Sequence, residues 1–562
     1  MLTKVERNQS HDLVEKIGSD ILLDELLKQK VELIFGYPGG AALPIYDSLY
    51  RKARLNILFR HEQGAVHAAE GYAKVSGKPG VVIVTSGPGA TNTVTGLADA
   101  KADSVPLIVF TSQVTTTALG TNAFQEVNIV EISKPITKKS YQVRDINDLA
   151  PTIIKAFELA TSGRPGPVLV DLPKNILTAR TKQATASFVS KMGNSYRIPV
   201  DLINELKQAR RPLLLIGGGI PNEKTAAIRQ LVQRCHLPVV SSMLGLGIIS
   251  NDCPLFLGMA GMHGTYAANM ALAKCDFLLN IGSRFDDRLA TKPKEFAPHA
   301  KIAHVDIDPH ELNKIIQTDF KILADARVVI DQLNELLDEP LDINSWLQQV
   351  KQWKKDFPYH YRIQKGVIKP QQIVEKIGKL THGKAIVVTD VGQHQMWVAQ
   401  YYPFSLPHQL ITSGGLGTMG FGLPAAIGAK FAASQATVVL FVGDGGLQMT
   451  IEELDVIKQY NLNIKIILLN NHALGMVRQW QDLFYEKRRS KTIFIHQPDF
   501  VGIAKSYGLK SLRLNPDNWE KTLADAFSQP QTVFIEVPIP QQENVKPMIA
   551  PGTANHELMG FK

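Results

Sequence analysis

At 562 residues the chain is too long for one hydrophobic core, and ordinary domain sizes point to about three domains. Apolar residues at 44% and charged residues at 20% suit a soluble globular protein, and no run approaches the roughly 18 to 20 apolar residues that span a bilayer. The 61 basic and 52 acidic residues are scattered, without a basic tail interleaved with aromatics, which argues against a nucleic-acid partner while leaving a field that favours anionic substrates. The opening stretch MLTKVERNQSHDLVEK carries no apolar run of signal-peptide type, so a cytoplasmic protein is expected. The three cysteines, Cys235, Cys253 and Cys275, form no CxxC pair and read as reduced thiols.

In chain order, residues 1–190 hold β-branched runs, NILFR, GVVIVTS, VPLIVFTS and GPVLVDLP, with helical patterns between several of them. That alternation predicts a parallel sheet with helical crossovers. The polar, Ser-rich stretch from Gln183 to Tyr196 reads as a linker. Residues 197–340 repeat the style in RPLLLIGGG, LPVVSSM, CDFLLNIG and KIAHVDIDP, and 341–368 look like a helical connector. Residues 369–562 contain AIVVTDVG, TVVLFVGD, IKIILLNN and TVFIEVP. The expected fold class is α/β, with three doubly wound parallel-sheet domains whose ligands sit at the carboxyl ends of the strands.

The strongest chemical signal lies in the third segment. The strand TVVLFV runs into Gly443-Asp444-Gly445-Gly446, and IKIILL ends at Asn470-Asn471. A helix is expected from about Thr450, capped by Thr450 and Glu453, with Ile451, Leu454 and Ile457 as its buried stripe. Asp444 and Asn471 are 27 residues apart, one helical crossover, which can bring both side-chain oxygens to the same edge of two parallel strands. Magnesium takes hard oxygen ligands, usually one or two protein groups plus phosphates, and the glycines let backbone amides approach a diphosphate. A competing pattern is Gly415-Leu416-Gly417-Thr418-Met419-Gly420, which fits GxGxxG after the strand-like QLITS and would suit a nicotinamide cofactor. It leaves the asparagine pair unexplained.

The GDG…NN arrangement resembles the thiamine diphosphate enzymes, and within them the acetohydroxyacid (acetolactate) synthases. The likeness rests on FGYPGGAALPIYD at 35–47, RHEQGAVHAAEGYA at 60–73, TSGPGATN at 85–92 and GTNAFQE at 120–126. It continues in GMHGT at 261–265, RFDDR at 284–288, VGQHQMW at 391–397, GGLGTMGFGLPAA at 414–426 and GMVRQWQ at 475–481. The resemblance implies a pyrimidine-binding domain at 1–190, an FAD-binding middle domain at 197–340 and a diphosphate- and magnesium-binding domain at 369–562. It implies that Glu62 hydrogen-bonds the aminopyrimidine and that Asp444, Asn471 and the backbone carbonyl of Ala473 hold magnesium. Pro88, Asn92, Val391, Gly392, Gln393, His394, Gly417, Met419, Gly443, Gly445, Gly446, Gly475 and Met476 are the remaining thiamine diphosphate contacts it assigns. Gly40 and Gln125 are placed near the reacting centre, and Phe124, Met262 and Trp480 in a pocket for the second ketoacid. Arg288 is assigned to that acid's carboxylate. The FAD contacts it implies are Arg164, Gly217, Gly218, Gly261, Met262, His263, Gly264, Thr265, Gly282, Arg284, Asp286, Arg288, Asp306, Asp308 and Asp325.

The implied reaction decarboxylates pyruvate and joins the two-carbon unit to pyruvate or 2-ketobutyrate, giving 2-acetolactate or 2-aceto-2-hydroxybutyrate for branched-chain amino acid synthesis. Its FAD would be largely structural, because the net reaction involves no redox change. A homodimer or homotetramer, with a site shared between two chains, and a regulatory small subunit are the implied partners, without nucleic acid or membrane. Two rivals share the fold: an FAD-dependent pyruvate oxidase and the flavin-free catabolic acetolactate synthases.

Overall fold

The computed structural model describes residues 15–53, 55–182 and 196–560. The expected linker, apart from Tyr196, lies outside them. The chain forms two compact units: residues 15–69 with 79–182, and residues 70–78 with 196–560.

The first unit holds a six-stranded sheet, all parallel, with the strands in chain-order sequence 2-1-3-4-6-5 across it. Three of its four inner strands, Gly80–Val84, Leu107–Gln113 and Pro167–Pro173, are buried throughout. Helices cover both faces of such a sheet, so its inner strands read as unbroken apolar runs. The edge strand Lys139–Gln142, with the sequence KSYQ, is half exposed and shows no such run.

The second unit contains two further six-stranded parallel sheets. The middle sheet, from Pro212–Ile216 to Phe320–Leu323, has the order 3-2-1-4-5-6, and the last sheet, from Ile386–Thr389 to Val533–Pro538, repeats 2-1-3-4-6-5. All three expected α/β layers are therefore present. One face of the middle sheet (Leu214, Ile216, Leu279) shares a continuous core with the last sheet (Val387, Val439, Ile467), which explains why these two sheets form one compact unit. The opposite face, with Leu213, Leu215 and Leu278, packs on the connector through Trp346, Leu347 and Val350. The connector is helical only over Asn344–Asp356, and its Trp346 Nε1 donates to the Pro212 carbonyl at 3.0 Å.

Two local expectations need correction. The helix expected from about Thr450 is present as a 3-10 turn, Ile451–Glu453, running into the α-helix Leu454–Gln459, and a separate short turn, Asp444–Leu447, precedes it. The Thr450 hydroxyl donates to the Gly420 carbonyl at 3.0 Å, so it does not form the expected cap. The buried stripe is Leu454, Val456 and Ile457, while Ile451 is only part-buried. Among the described residues no helix is long and apolar enough to cross a membrane.

Candidate active site

In the first unit three loops meet at the carboxyl edge where the strand order reverses. The chain leaves Ile34–Tyr37 into Gly39-Gly40, leaves Asn56–Leu58 into Glu62, and leaves Gly80–Val84 into Ser86-Gly87-Pro88. Glu62 is the first residue of the helix Glu62–Ser76 and is 9% exposed. A helix N-terminus favours a carboxylate there. Its Oε2 accepts from Asn92 Nδ2 at 2.9 Å, so Asn92, expected as a cofactor contact, orients Glu62 in this chain. Burial, and the charge of Glu62, push the Tyr46 phenol well above its usual range.

Gly40 faces open space, with nothing among the described residues, its chain neighbours aside, within 4 Å of where its Cβ would stand, so none of them demands glycine there. Gly87 is different: a Cβ would lie 2.9 Å from the Cβ of Gln125, and Gln125 itself has φ of 60°. A non-glycine residue held there is uncommon and carries local strain of the kind found at ligand sites. Phe124, beside it, is 88% exposed. Arg164 is engaged inside this unit, its Nε donating to Ser104 Oγ at 2.9 Å.

The last sheet carries an open cleft at its carboxyl edge, lined among others by His394, Met419, Asp444, Asn471, Ala473 and Gly475. Strands Val438–Gly443 and Ile464–Asn470 are parallel neighbours in register Gly443 to Leu469, which brings Asp444 and Asn471 to one edge. The two asparagines part ways. Asn470 Nδ2 donates to Glu536 at 2.9 Å and belongs to the sheet, whereas Asn471 lines the cleft. Asn471 Oδ1 accepts from the Ala473 amide at 3.0 Å, and its Nδ2 donates to Gln393 Oε1 at 3.3 Å.

Asp444 is 2% exposed, and burial pushes its carboxyl up to about 7, against hydrogen bonds from Gln497 and the Gly445 and Ala473 amides. A carboxylate and an amide oxygen converging in a cleft are hard donors of the kind a small divalent cation takes. Such a cation would offset the desolvation of Asp444. His394, also in the cleft, is held neutral: burial brings its imidazole down to about 4, and its Nε2 has no partner among the described residues.

The glycines divide in the same way. A Cβ at Gly446 would meet Asp390 Oδ1 at 2.2 Å, and one at Gly475 would meet Gln393 Oε1 at 2.2 Å, so packing inside the protein already requires glycine at both. Asp390 is fully buried and accepts from the Gly420 and Gly422 amides at 2.9 and 2.8 Å, while Ser413 Oγ takes the Gly417 and Thr418 amides. Three backbone amides of the GxGxxG-like loop, and the first of the helix that follows it, are thus taken by the protein. The strand before it, Leu410–Ile411, is a two-residue edge strand, so the nicotinamide reading has no dinucleotide cradle here. Met419 reaches from this loop to within 3.4 Å of where a Gly445 Cβ would lie.

Met262, Arg288 and Trp480 come together although they are far apart in sequence. Arg288 Nη1 is 3.6 Å from Met262 Sδ, and its guanidinium lies over the Trp480 ring at 5.8 Å. The helix Gly475–Phe484 starts in the cleft with Gly475 and Met476 and carries Trp480 away from it. Five residues of helix separate Trp480 from Gly475 by roughly 7.5 Å along the axis.

The middle sheet has the strand order that binds dinucleotides at its switch point, between Pro212–Ile216 and Phe277–Ile281. Gly217, Gly218, Gly282, Arg284, Asp306 and Asp308 all lie at this carboxyl edge. The Gly217 and Gly219 amides are taken by the carbonyls of Ile281 and Gly282, each at 3.0 Å. Three other expected contacts have local duties. Asp325 caps the helix Ala326–Leu336, Thr265 caps Tyr266–Lys274, and Asp286 Oδ1 accepts from the Arg288 and Leu289 amides. Gly261 and Gly264 form the turn between the strand Phe256–Met259 and the helix Tyr266–Lys274, the Gly264 amide donating to the Gly261 carbonyl at 2.9 Å.

His263 is 8% exposed, with its Nδ1 3.4 Å from the Pro547 carbonyl, and burial brings its pKa down to about 4. Between the unfolded value near 6.5 and about 4 the unfolded chain binds a proton that the folded chain refuses. Stability is therefore fully present above about 6.5 and falls as the pH drops, by on the order of 3 kcal/mol from this residue. Chemical denaturation across this window should show a shallower acid loss in His263→Asn than in the parent; parallel profiles would refute the assignment.

Sequence reasoning missed Asp390, Gln479 and Gln497. Asp390 ends the run AIVVTD as Asp444 ends TVVLFVGD, a signal that was legible. Gln479 Nε2 and Oε1 bond Val545, and Gln393 Nε2 donates to Gln479, contacts that no local pattern announces.

Comparison with known proteins agrees with this layout. The thiamine pyrophosphate enzyme families match at residues 17–132 (N-terminal TPP binding domain), 201–333 (central domain) and 390–537 (C-terminal TPP binding domain). The acetolactate synthase large subunit of Lactococcus lactis is 49% identical over 557 residues, 97% of this chain and 96% of its own length. That of Haemophilus influenzae is 43% identical over 559 residues, 96% of this chain and 98% of its own. The mitochondrial acetolactate synthase catalytic subunit of Saccharomyces cerevisiae is 41% identical over 597 residues, covering 99% of this chain and 86% of its own. With three domain families in order and relatives this similar over nearly the whole length, the chain belongs to the acetolactate synthase family of thiamine pyrophosphate enzymes.

Proposed function

We propose that this chain is the catalytic subunit that decarboxylates pyruvate and joins the two-carbon unit to a second 2-ketoacid, pyruvate or 2-ketobutyrate. The observation that carries the reading is the Met262, Arg288 and Trp480 cluster at the far end of the helix that begins in the cleft. A cation over an aromatic face, beside a thioether, binds a carboxylate and an apolar chain end together, which is what a 2-ketoacid acceptor presents. An oxidase that passes electrons onward has no need of a second ketoacid pocket.

Thiamine diphosphate, when bound, supplies the carbanion chemistry. Glu62, oriented by Asn92, would hold the aminopyrimidine. Asp444 and Asn471, with the Ala473 carbonyl, would hold Mg2+ on the diphosphate, and Met419 would support the cofactor from the side. Gly40 would leave room for the reacting atoms, with Gln125 near them, and Phe124 would serve the second ketoacid. The middle sheet would take FAD at its switch point, as a structural group. We further propose a cytoplasmic homo-oligomer that pairs with a regulatory small subunit, in keeping with the relatives named as large subunits.

The test is the spectrum and product of the purified chain with pyruvate, Mg2+ and thiamine diphosphate. Acetolactate from a yellow protein is expected. Acetyl phosphate, or acetate with peroxide, would mean an oxidase, and acetolactate from a colourless protein would mean the catabolic type. In the same assay, with pyruvate and 2-ketobutyrate competing, Trp480→Ala should reduce the preference for 2-ketobutyrate by about 10- to 200-fold, the worth of one methylene in an apolar pocket. An unchanged product ratio would remove Trp480 from the acceptor pocket.

A further inference from the structure

Gln497 lies in the stretch after the helix Gly475–Phe484, where no motif drew attention to it. The stretch 492–494 is pinned along the metal loop. Leu474 N donates to the Thr492 carbonyl at 2.8 Å, Phe494 N donates to the His472 carbonyl at 3.0 Å, and Ala473 and Ile493 form an antiparallel bridge. Gln497 follows from this strap and returns to the cleft. Its Nε2 donates to Asp444 Oδ2, while Asp444 Oδ1 takes the Gly445 amide at 3.1 Å. The other end of the same amide, Oε1, is buried and has no hydrogen-bond partner among the described residues.

That arrangement is unusual for a residue with only a structural role. A buried amide oxygen left unpaired costs free energy, and a packing role would be served as well by an apolar side chain of similar size. The two halves of the amide have complementary uses at a cation site. The N–H end fixes which way the Asp444 carboxylate faces. The unpaired oxygen is free to accept a hydrogen bond from a water in a cation's own shell, and Mg2+ usually keeps several such waters. Groups behind the ligands of a metal orient them and tune affinity in this way.

We infer that Gln497 is a positioning residue of the divalent-cation site, orienting Asp444 through Nε2 and accepting from a cation-bound water through Oε1. The inference rests on the reading of Asp444 and Asn471 as cation ligands given above. Its strap also joins the cation site to the 492–497 stretch, so substitutions in this stretch change cation affinity without touching the cation.

Free and bound Mn2+ can be separated by electron paramagnetic resonance in the presence of thiamine diphosphate, a measurement independent of turnover. Gln497→Leu keeps bulk and removes both polar ends. Its Mn2+ affinity should fall by about 10- to 100-fold, the usual cost of losing a group behind the ligands. Gln497→Glu replaces the N–H with a second acceptor facing Asp444. In the metal-free protein the two carboxylates repel, and with the dication present both are drawn to it. The Glu variant should therefore lose thermal stability without the cation and regain it when Mn2+ is added, by a larger shift than the parent shows. A Leu variant that binds Mn2+ within twofold of the parent, or a Glu variant with an unaltered cation-induced shift, overturns the inference. If the parent binds no Mn2+ under these conditions, the cation reading itself has failed, and the two failures are thereby told apart. Should Gln497→Leu not fold, the Glu variant decides alone.

Discussion

Replacing Glu62 with glutamine should leave thiamine diphosphate bound while slowing proton exchange at the thiazolium carbon by about 10²- to 10⁴-fold, the range a positioned acid-base group contributes. The thiazolium proton is lost slowly in free solution. A carboxylate hydrogen-bonded to the aminopyrimidine stabilises the tautomer that can accept that proton, and an amide of the same shape cannot do so as well. Glu62 is suited to the task by where it stands. It opens a helix, is nearly buried, and is turned by Asn92 Nδ2 at 2.9 Å. Asn92→Ala should reproduce a milder form of the same defect. Exchange is read by hydrogen–deuterium quench and magnetic resonance of the bound cofactor, with affinity followed by fluorescence quenching. A Glu62→Gln protein whose exchange stays within a few-fold of the parent would falsify the role.

Asp444→Asn should act in opposite directions on binding and on stability. Removing one side of a buried charge pair costs about 3–5 kcal/mol, so Mg2+ affinity in the presence of the cofactor should fall by roughly 10²- to 10⁴-fold. Acetolactate formation at ordinary Mg2+ should fall with it and recover in part at high Mg2+. In the metal-free protein the same substitution should raise the melting temperature above neutral pH. There the parent keeps a desolvated carboxylate at 2% exposure, whose pKa burial has pushed up to about 7. The asparagine oxygen can keep the Gly445 amide, and its new N–H group can donate to Gln497 Oε1 once that amide turns over, so both bonds survive without the charge. Calorimetric titration and thermal denaturation of the stripped protein give both numbers. Weaker binding with an unchanged or lower melting temperature would mean that Asp444 stabilises the fold as it stands.

These predictions divide by what the sequence itself carried. The inner strands were legible because a parallel sheet buried on both faces leaves runs such as VVIV and IKIILL with almost nothing polar in them. Chain direction follows from the crossovers, and it fixes that Glu62, Asp444 and Asn471 stand at carboxyl edges. The edge strands did not announce themselves. Lys139–Gln142 and Lys510–Arg513 are half exposed, so their composition is that of a loop. The helix expected from Thr450 is there, but its expected cap failed for a tertiary reason: the hydroxyl that would have capped it is bonded to Gly420, thirty positions earlier.

Within the site the sequence named the residue types that a cation and a diphosphate need, and their spacing along the chain. It could not say which of two adjacent asparagines faces the cleft, because that depends on Glu536 across the sheet holding Asn470. Nor could it say that Gly446 and Gly475 are glycine to make room for Asp390 and Gln393, or that Gln497 ends against Asp444. Those facts are set by contacts between residues 53 to 82 positions apart, with no periodicity to betray them. The sequence alone determined the three α/β layers and the kind of chemistry at their edges, because burial and spacing are local signals. Only the tertiary structure decided which side chains hold the catalytic groups in place, because hydrogen bonds across the sheet edge join residues whose order in the chain carries no information about their meeting.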